Sequence, residues 1–535
     1  MKLRFVSALL GVAQTALPSL ARESSYLRRT NIYNEKLQNE ASALFSDNSR
    51  CGNWEIVGDP IHGLSDYEYS GSSVAASADG STVAIGAPYN SDAFIQQGSV
   101  RVHKFRDASN TWEQIGGNII GSDVKELLGT SVALSGDGKI IAIGSTGHDR
   151  NLKNVGRVKV YQYVWYTNTW EKHGSWIFGQ KSNEKFGFEV AISSDGSTLA
   201  ASSSGQGMNT ATTVYIFNEA NAKWKEIGDS IEERGGGGVS VSLSDNGKVL
   251  AIGNRQSNTN AGQVRIFRQS ENSSSLTQLG STLYGNERDN CGASISLTGD
   301  GLMIAIGSDG FDNDRGRVEV LKFAEDIQDW KRKGPIILGD VEGSLAGTSV
   351  ALSTSGGLVV VGAIGKDRFG DESGHTASYI YDSSKSQWHR VGGSVHGEEK
   401  DDYAGGKVAL SNDGLRLIVA APFNSMQGIY SGLTRVFEFN SETCSPTISP
   451  TKSPIEPTVN PSVTPSATPS ASPSTLPSVL PSAASTRPSS SPTEFLAAQP
   501  TRIPTPLSSK SPTGAPSTTF EAYSPLWSFL DGWIR

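Results

Sequence analysis

Two clusters of carboxylates are the residues of this 535-residue chain best suited to chemistry. One is Asp309-x-x-Asp312-x-Asp314 and the other is Glu398-Glu399-Lys400-Asp401-Asp402. Carboxylates at that density attract cations or a basic partner. Asp309, Asp312 and Asp314 are the candidate metal ligands, and Ca2+ is the cofactor they would take, although the closing Glu of an EF-hand loop is missing. Seven histidines (His62, His103, His148, His173, His375, His389, His396) are scattered, none with a base or nucleophile at short range. No Gly-x-Ser-x-Gly elbow, phosphate-binding loop or His-rich metal spacing occurs. The expectation is a protein that is not an enzyme, with no catalytic residues.

The elements that must position these groups are repeated. Ser131-Val132-Ala133-Leu134-Ser135-Gly136-Asp137-Gly138 runs into Lys139-Ile140-Ile141-Ala142-Ile143-Gly144, a small-residue strand, a tight turn and an apolar strand. The turn glycine recurs as Gly80, Gly138, Gly196, Gly247, Gly301, Gly356 and Gly414, so one unit of roughly 40–60 residues has been copied seven times. A third strand alternates apolar residues with charge (Val100-Arg101-Val102-His103-Lys104-Phe105). A fourth carries Trp-x-x-apolar-Gly, at Trp54, Trp112, Trp224 and Trp388, with degenerate copies at Trp170 and Trp330 whose fourth positions are His173 and Lys333. In the remaining copy Leu276 replaces the tryptophan.

Seven four-stranded units predict an all-β fold, a seven-bladed β-propeller, with an open solenoid as the alternative. The ends of the array decide between them. The last unit lacks its tryptophan strand, and an orphan one stands at Trp54, before the first unit. A ring closed by its N-terminal strand has this phase. Aligning Phe439 on Phe105 and Trp54 on Trp112 sets Cys444 and Cys51 side by side in one hairpin loop, so a Cys51–Cys444 disulfide is expected. Cys291 is read as a buried small residue.

The domain reading is 1–21 signal peptide, 22–50 flexible lead-in, 51–444 propeller, 445–519 disordered Ser/Thr/Pro-rich stalk and 520–535 short aromatic tail. Lys2 and Arg4, the apolar run Phe5 to Leu17 and Ser19-Leu20-Ala21 form the secretory pattern. No stretch reaches transmembrane length. Pro-Ser and Pro-Thr steps such as Pro461-Ser462-Val463-Thr464-Pro465 cannot bury a core, and in the secretory pathway read as an O-glycosylated stalk or wall spacer. Asn272-Ser273-Ser274 is an N-glycosylation sequon. A net charge of −8 and a pI near 5.5 argue against nucleic acid as a partner.

Phe186-Gly187 before Val190-Ala191-Ile192, Gly86-Ala87-Pro88, and the near match Ala420-Ala421-Pro422 resemble the FG-GAP repeat of integrin α-subunit propellers. The resemblance spans about Cys51 to Cys444 and implies an extracellular propeller that binds a partner on one face. The calcium loop of that family is shortened here to Gly136-Asp137-Gly138-Lys139 or Ser194-Asp195-Gly196-Ser197, and one carboxylate cannot supply the six to eight oxygens calcium takes. The family's metal sites are therefore not carried over, and the Asp-Gly pairs are read as turns.

In a propeller the loops joining strand four to the next strand one, and strand two to strand three, emerge on one face. Asp and Glu there outnumber Lys and Arg roughly two to one, so an acidic ligand face is expected, densest at Glu398, Glu399, Asp401 and Asp402. The function this supports is a secreted or wall-associated recognition or adhesion protein, binding an extracellular protein or glycan. The alternative is an extracellular polysaccharide-acting lyase or hydrolase on a propeller scaffold.

Overall fold

The computed structural model describes residues 52–205, 210–235, 238–270, 275–365 and 372–441. The signal peptide, lead-in, stalk and tail, Cys51, Cys444 and Asn272 lie outside the described residues.

The described residues form seven antiparallel sheets of four main strands each, five of them extended by a two-residue strand at the outer edge. In the second blade these are Leu128–Leu134, Ile140–Ser145, Arg157–Val164 and Thr169–Lys172, plus Ile177–Phe178. The innermost strands touch in succession, and the last, Lys407–Leu410, touches the first, Ser73–Ala76. The solenoid is thereby excluded: the array is a closed seven-bladed propeller. Closure uses the strand the sequence predicts. Asn53–Ile56 pairs antiparallel with Leu433–Asn440 in the register Trp54↔Phe439.

The Trp-x-x-apolar-Gly motif is the joint between blades. Each indole lies against the glycine of the preceding blade's motif, and all but Trp54 donate from Nε1 to the carbonyl just before it: Trp112 to Val57 O at 2.8 Å, Trp170 to Ile115 O at 3.0 Å, Trp224 to His173 O at 3.2 Å, Trp330 to Leu279 O at 2.9 Å and Trp388 to Lys333 O at 2.8 Å. A Cβ on Gly116 would stand 2.5 Å from Trp170 Cδ1, and φ there is +68°, so only glycine fits. Trp54 completes the series over Gly392, with its Nε1 donating to Ser378 Oγ at 2.9 Å. Between these joints lie buried clusters of aliphatic and aromatic side chains contributed by neighbouring blades, for example Val158, Val160, Leu199 and Trp224.

The Asp-Gly turns are closed by their own side chains. Ser135 Oγ and the Lys139 N–H donate to Asp137 at 2.7 and 3.0 Å, while the Ile140 N–H donates to Ser135 Oγ. Burial alone would raise the Asp137 carboxyl, but these donors outweigh it and hold the group below its ordinary value. The aspartate is occupied by the turn.

Candidate functional site

The loop face is built from one recurring bracket. Four of the seven strand-four-to-strand-one loops carry a Gly-x-x-x-x-acid pattern, giving Glu68, Glu126, Glu184 and Asp402, and a fifth has a shorter version at Asp289. The carboxylate turns back to accept the loop's own N–H groups: Leu64 N to Glu68 at 2.7 Å, Lys181 N to Glu184 at 2.7 Å, and Glu398 N and Glu399 N to Asp402 at 2.9 Å. A cation on the third strand then neutralises the acid or its loop. The pairs include Arg101–Glu68 at 3.3 Å, Arg157–Glu126 at 2.6 Å, Arg317–Asp289 at 3.1 Å and Arg435–Glu398 at 3.2 Å. Much of the acidity counted from the sequence is thus compensated inside the face. In the Glu398–Asp402 knot, Asp402 is buried and also accepts from Asn424 Nδ2 at 3.0 Å, Asp401 lies 3.9 Å from Lys400, and Glu399 is exposed.

Asp309, Asp312 and Asp314 are separated in role. Asp309 is buried and accepts from Asn290 Nδ2 at 2.9 Å and Arg255 at 3.3 Å. Burial pushes its carboxyl up, and Arg255 opposes that. Asp312 is 3.8 Å from Arg315, and Asp312 and Asp314 both sit at positive φ in the tight turn Phe311–Asp314.

A trio missed by the sequence reading, Asp123, Glu126 and His148, brings its ligand atoms within 4.8 Å of one another. Its surroundings do not suit a metal ion. Glu126 Oε1 is 2.6 Å from Arg157 and 2.9 Å from Lys159, and Glu126 also accepts from Ser145 Oγ and the Ser122 N–H. Burial works against its ionisation, yet Arg157 and Lys159 hold its carboxyl down at about 2. Burial and Arg157 also keep His148 below its ordinary value. Two cations already occupy the place a metal would take, so the trio is an internal ion network.

The ring axis carries a second group invisible in any single repeat. Two residues after the glycine that opens each inner strand, five blades place a serine: Ser73, Ser131, Ser240, Ser294 and Ser349. Each of these hydroxyls donates to a glycine carbonyl of the next blade, as Ser131 does to Gly187 O at 2.9 Å. The third and seventh blades place Glu189 and Lys407 there instead, and the two meet at 4.0 Å. Non-adjacent blades can touch at this level only across the axis. The pair therefore stands in the loop-face mouth of the central channel, each side chain partly open to it. Burial raises the Glu189 carboxyl and Lys407 pulls it back.

The loop face also exposes apolar side chains in one sector, over the seventh and first blades and the entry to the second. Leu64, Tyr67, Phe94, Ile95, Val124, Met426 and Ile429 are each about half exposed or more. The sector is knitted together: the Tyr67 N–H donates to Ile429 O at 2.7 Å, the Lys125 N–H to Ile95 O at 2.8 Å, and the Tyr67 and Tyr430 rings meet edge-on at 5.9 Å. Beneath them Tyr69 is buried, with Tyr89, Phe423 and Tyr430 each within 5.7 Å of its ring. The aromatic positions are each readable in the sequence, but their convergence depends on the ring closing.

No family model matches the chain, and no curated protein matches it. The seven-bladed architecture that the FG-GAP resemblance implies is present, without a family match to carry the name. Solved structures similar to it include one from Bacteroides uniformis named as a 6-phosphogluconolactonase (11% identity, 64% of this chain and 89% of that one, TM-score 0.46). The periplasmic gluconolactonase of Pseudomonas aeruginosa is another (17% identity, 61% and 85%, TM-score 0.43). Sqt1 of Saccharomyces cerevisiae is similar at 11% identity (69% and 84%, TM-score 0.41). At these identities the likeness is one of fold. The expectation that the chain is not an enzyme is corrected to this extent: propellers of this fold include named enzymes, so the fold does not exclude catalysis. Propellers similar to it are named as gluconolactonases, which are hydrolytic enzymes rather than lyases. A propeller assembles a site from several blades, so the absence of a short catalytic motif does not mark one as non-enzymatic.

Proposed function

We propose that this chain is a recognition or adhesion protein, secreted or held at the cell surface or wall, that binds an extracellular protein or glycan through the loop face of its propeller. The observation that carries the reading is the apolar sector around Tyr67, Phe94 and Ile429, since contiguous exposed apolar surface marks interaction sites. The basic-apolar-small start of the chain and the Ser/Thr/Pro-rich segment after the propeller support an extracellular setting. The test is a glycan and matrix-protein array probed with the full chain, with and without calcium, against a Tyr67→Ser/Ile429→Ser double variant. Binding that the double variant loses supports the reading. An array with no bound ligand, or one on which the variant binds equally well, overturns it.

A second reading rests on Glu189. A carboxyl raised by burial at the mouth of the channel, with an ammonium 4.0 Å away, has the composition of a general acid–base site for hydrolysis. Turnover of lactone, ester or glycoside substrates by the full chain, abolished in Glu189→Gln, would support it; absence of turnover across that panel would remove it.

A further inference from the structure

On the face opposite the loops, a cleft of about 650 Å³ opens between the fifth and sixth blades. That volume suits a ligand of one or two sugar units. Lys322, Lys331, Arg332 and Lys333 line it, with Glu325 the one carboxylate among its lining residues. In a chain of net charge −8 this is a local reversal of sign. Two of the cations are already matched, Lys331 by Asp326 at 3.1 Å and Arg332 by Glu319 at 3.1 Å. Lys322 and Lys333 have no carboxylate partner among the described residues.

Lys333 is the informative one. It stands at the fourth position of the tryptophan motif, where other blades bury Ile115, Ile227 and Leu279. Its ammonium is drawn into the cleft, donating to Gly356 O at 3.1 Å and Met303 Sδ at 3.4 Å, 4.6 Å from the Tyr381 ring centroid. Burial and the neighbouring Lys322 push its pKa down to about 8. An apolar residue would serve the fold better there, because a half-buried ammonium without a counter-charge is costly. A ligand that brings the missing negative charge removes that penalty and is held by it.

We propose that this cleft binds an anionic saccharide, with the sulfate or carboxylate group seated between Lys322 and Lys333. The site lies on the face opposite the apolar sector, so it stands or falls independently of the loop-face reading.

The experiment is calorimetric titration of the full chain at pH 7 with a sulfated disaccharide, a uronate disaccharide, their neutral counterpart and sodium sulfate. Lys333→Met and Lys322→Met are the variants. Lys333→Met restores an apolar residue at an apolar position, so its thermal midpoint should match or exceed that of the parent, which separates lost binding from lost folding. The expected result is binding of at least one acidic disaccharide, weakened tenfold or more in each variant and weakening as pH rises through 8, with the neutral sugar silent. Binding of no acidic sugar, equal binding in both variants, or sulfate ion binding as tightly as the disaccharide would overturn the proposal.

Discussion

Glu189 on the third blade and Lys407 on the seventh lie 4.0 Å apart across the axis of the propeller. Every other inner strand with a polar residue at this level uses a serine that bonds sideways to its neighbour. The ion pair is therefore the one direct polar link between opposed blades at this tier, among the described residues. Lys407→Met should leave the Glu189 carboxylate in the channel without its counter-charge. The pKa of Glu189 is raised in the folded protein, so the stability tied to it is full below the unfolded carboxyl range and falls as pH rises through the folded value. Removing Lys407 raises that value further. Urea unfolding should show Lys407→Met destabilised by roughly 1–2 kcal/mol at pH 8, a fraction of the cost of breaking a fully buried pair because the channel admits water, and much less at pH 5. Adding Glu189→Gln should restore most of the loss. Equal destabilisation at both pH values would count against the pairing.

Glu126 offers the opposite sign. Its carboxyl is held down at about 2 by Arg157 and Lys159, so it contributes stability above the unfolded carboxyl range, lost as pH falls toward 2. The shift corresponds to about 3 kcal/mol. Glu126→Gln should lower stability at pH 7 by roughly 3–5 kcal/mol, because it strands two buried cations. It should also flatten the acid limb of the stability–pH profile between about pH 4.5 and 2. A parallel acid limb in the variant would show that Glu126 is not the group responsible.

What the sequence made legible and what it hid divide along one line. The repeated strands, the Asp-Gly turns and the closing role of Trp54 are local patterns, or follow from the phase of a repeat. The register Trp54↔Phe439 is the alignment of Trp54 on Trp112 realised in space. The site residues are different. Glu189 and Lys407 become partners only because a seven-membered ring sets the third and seventh blades on opposite sides of one axis. A comparison of the seven inner strands would have singled them out as the two departures from serine. Loop carboxylates look like free charge in the sequence because their partners, Arg101, Arg157 and Arg317, sit on a strand whose charged positions resemble ordinary solvent-facing alternation. Lys333 was visible as a departure from the tryptophan motif, but its lack of a counter-charge is a fact of packing.

Gly116 tests the joint between blades. With φ at +68° and Trp170 Cδ1 at 2.5 Å from a built Cβ, Gly116→Ala must both strain the backbone and displace the indole. The expected loss is about 1–3 kcal/mol. It should appear with a red-shifted tryptophan emission as the indole moves off its bond to Ile115 O, which it meets at 3.0 Å. Gly117, next in sequence, has nothing within 4 Å of its built Cβ. Gly117→Ala should change stability by well under 1 kcal/mol, and a comparable loss there would show that general loop rigidity, not the tryptophan contact, governs the site.

The closing strand also makes a prediction about thiols. Asn53 pairs with Asn440 at the edge of the seventh blade, and Cys51 and Cys444 stand two residues before and four residues after that pair in sequence. We propose that they are bridged. Cys291 is buried at the position where other blades carry Leu128, Phe186 and Ala346, and burial pushes its thiol up to about 11. Such a thiol is both shielded and protonated at neutral pH, hence inert toward a thiolate-seeking reagent. Titration of the native, unreduced chain should find essentially no reactive thiol, and denaturation without reductant should release one. Denaturation after reduction should release three. Closing so long a loop constrains the unfolded chain, by about 2–4 kcal/mol in typical cases, so reduction should also lower the thermal midpoint. Three thiols in denaturant without reductant would exclude the bridge and leave Trp54 and its strand pairing to close the ring alone.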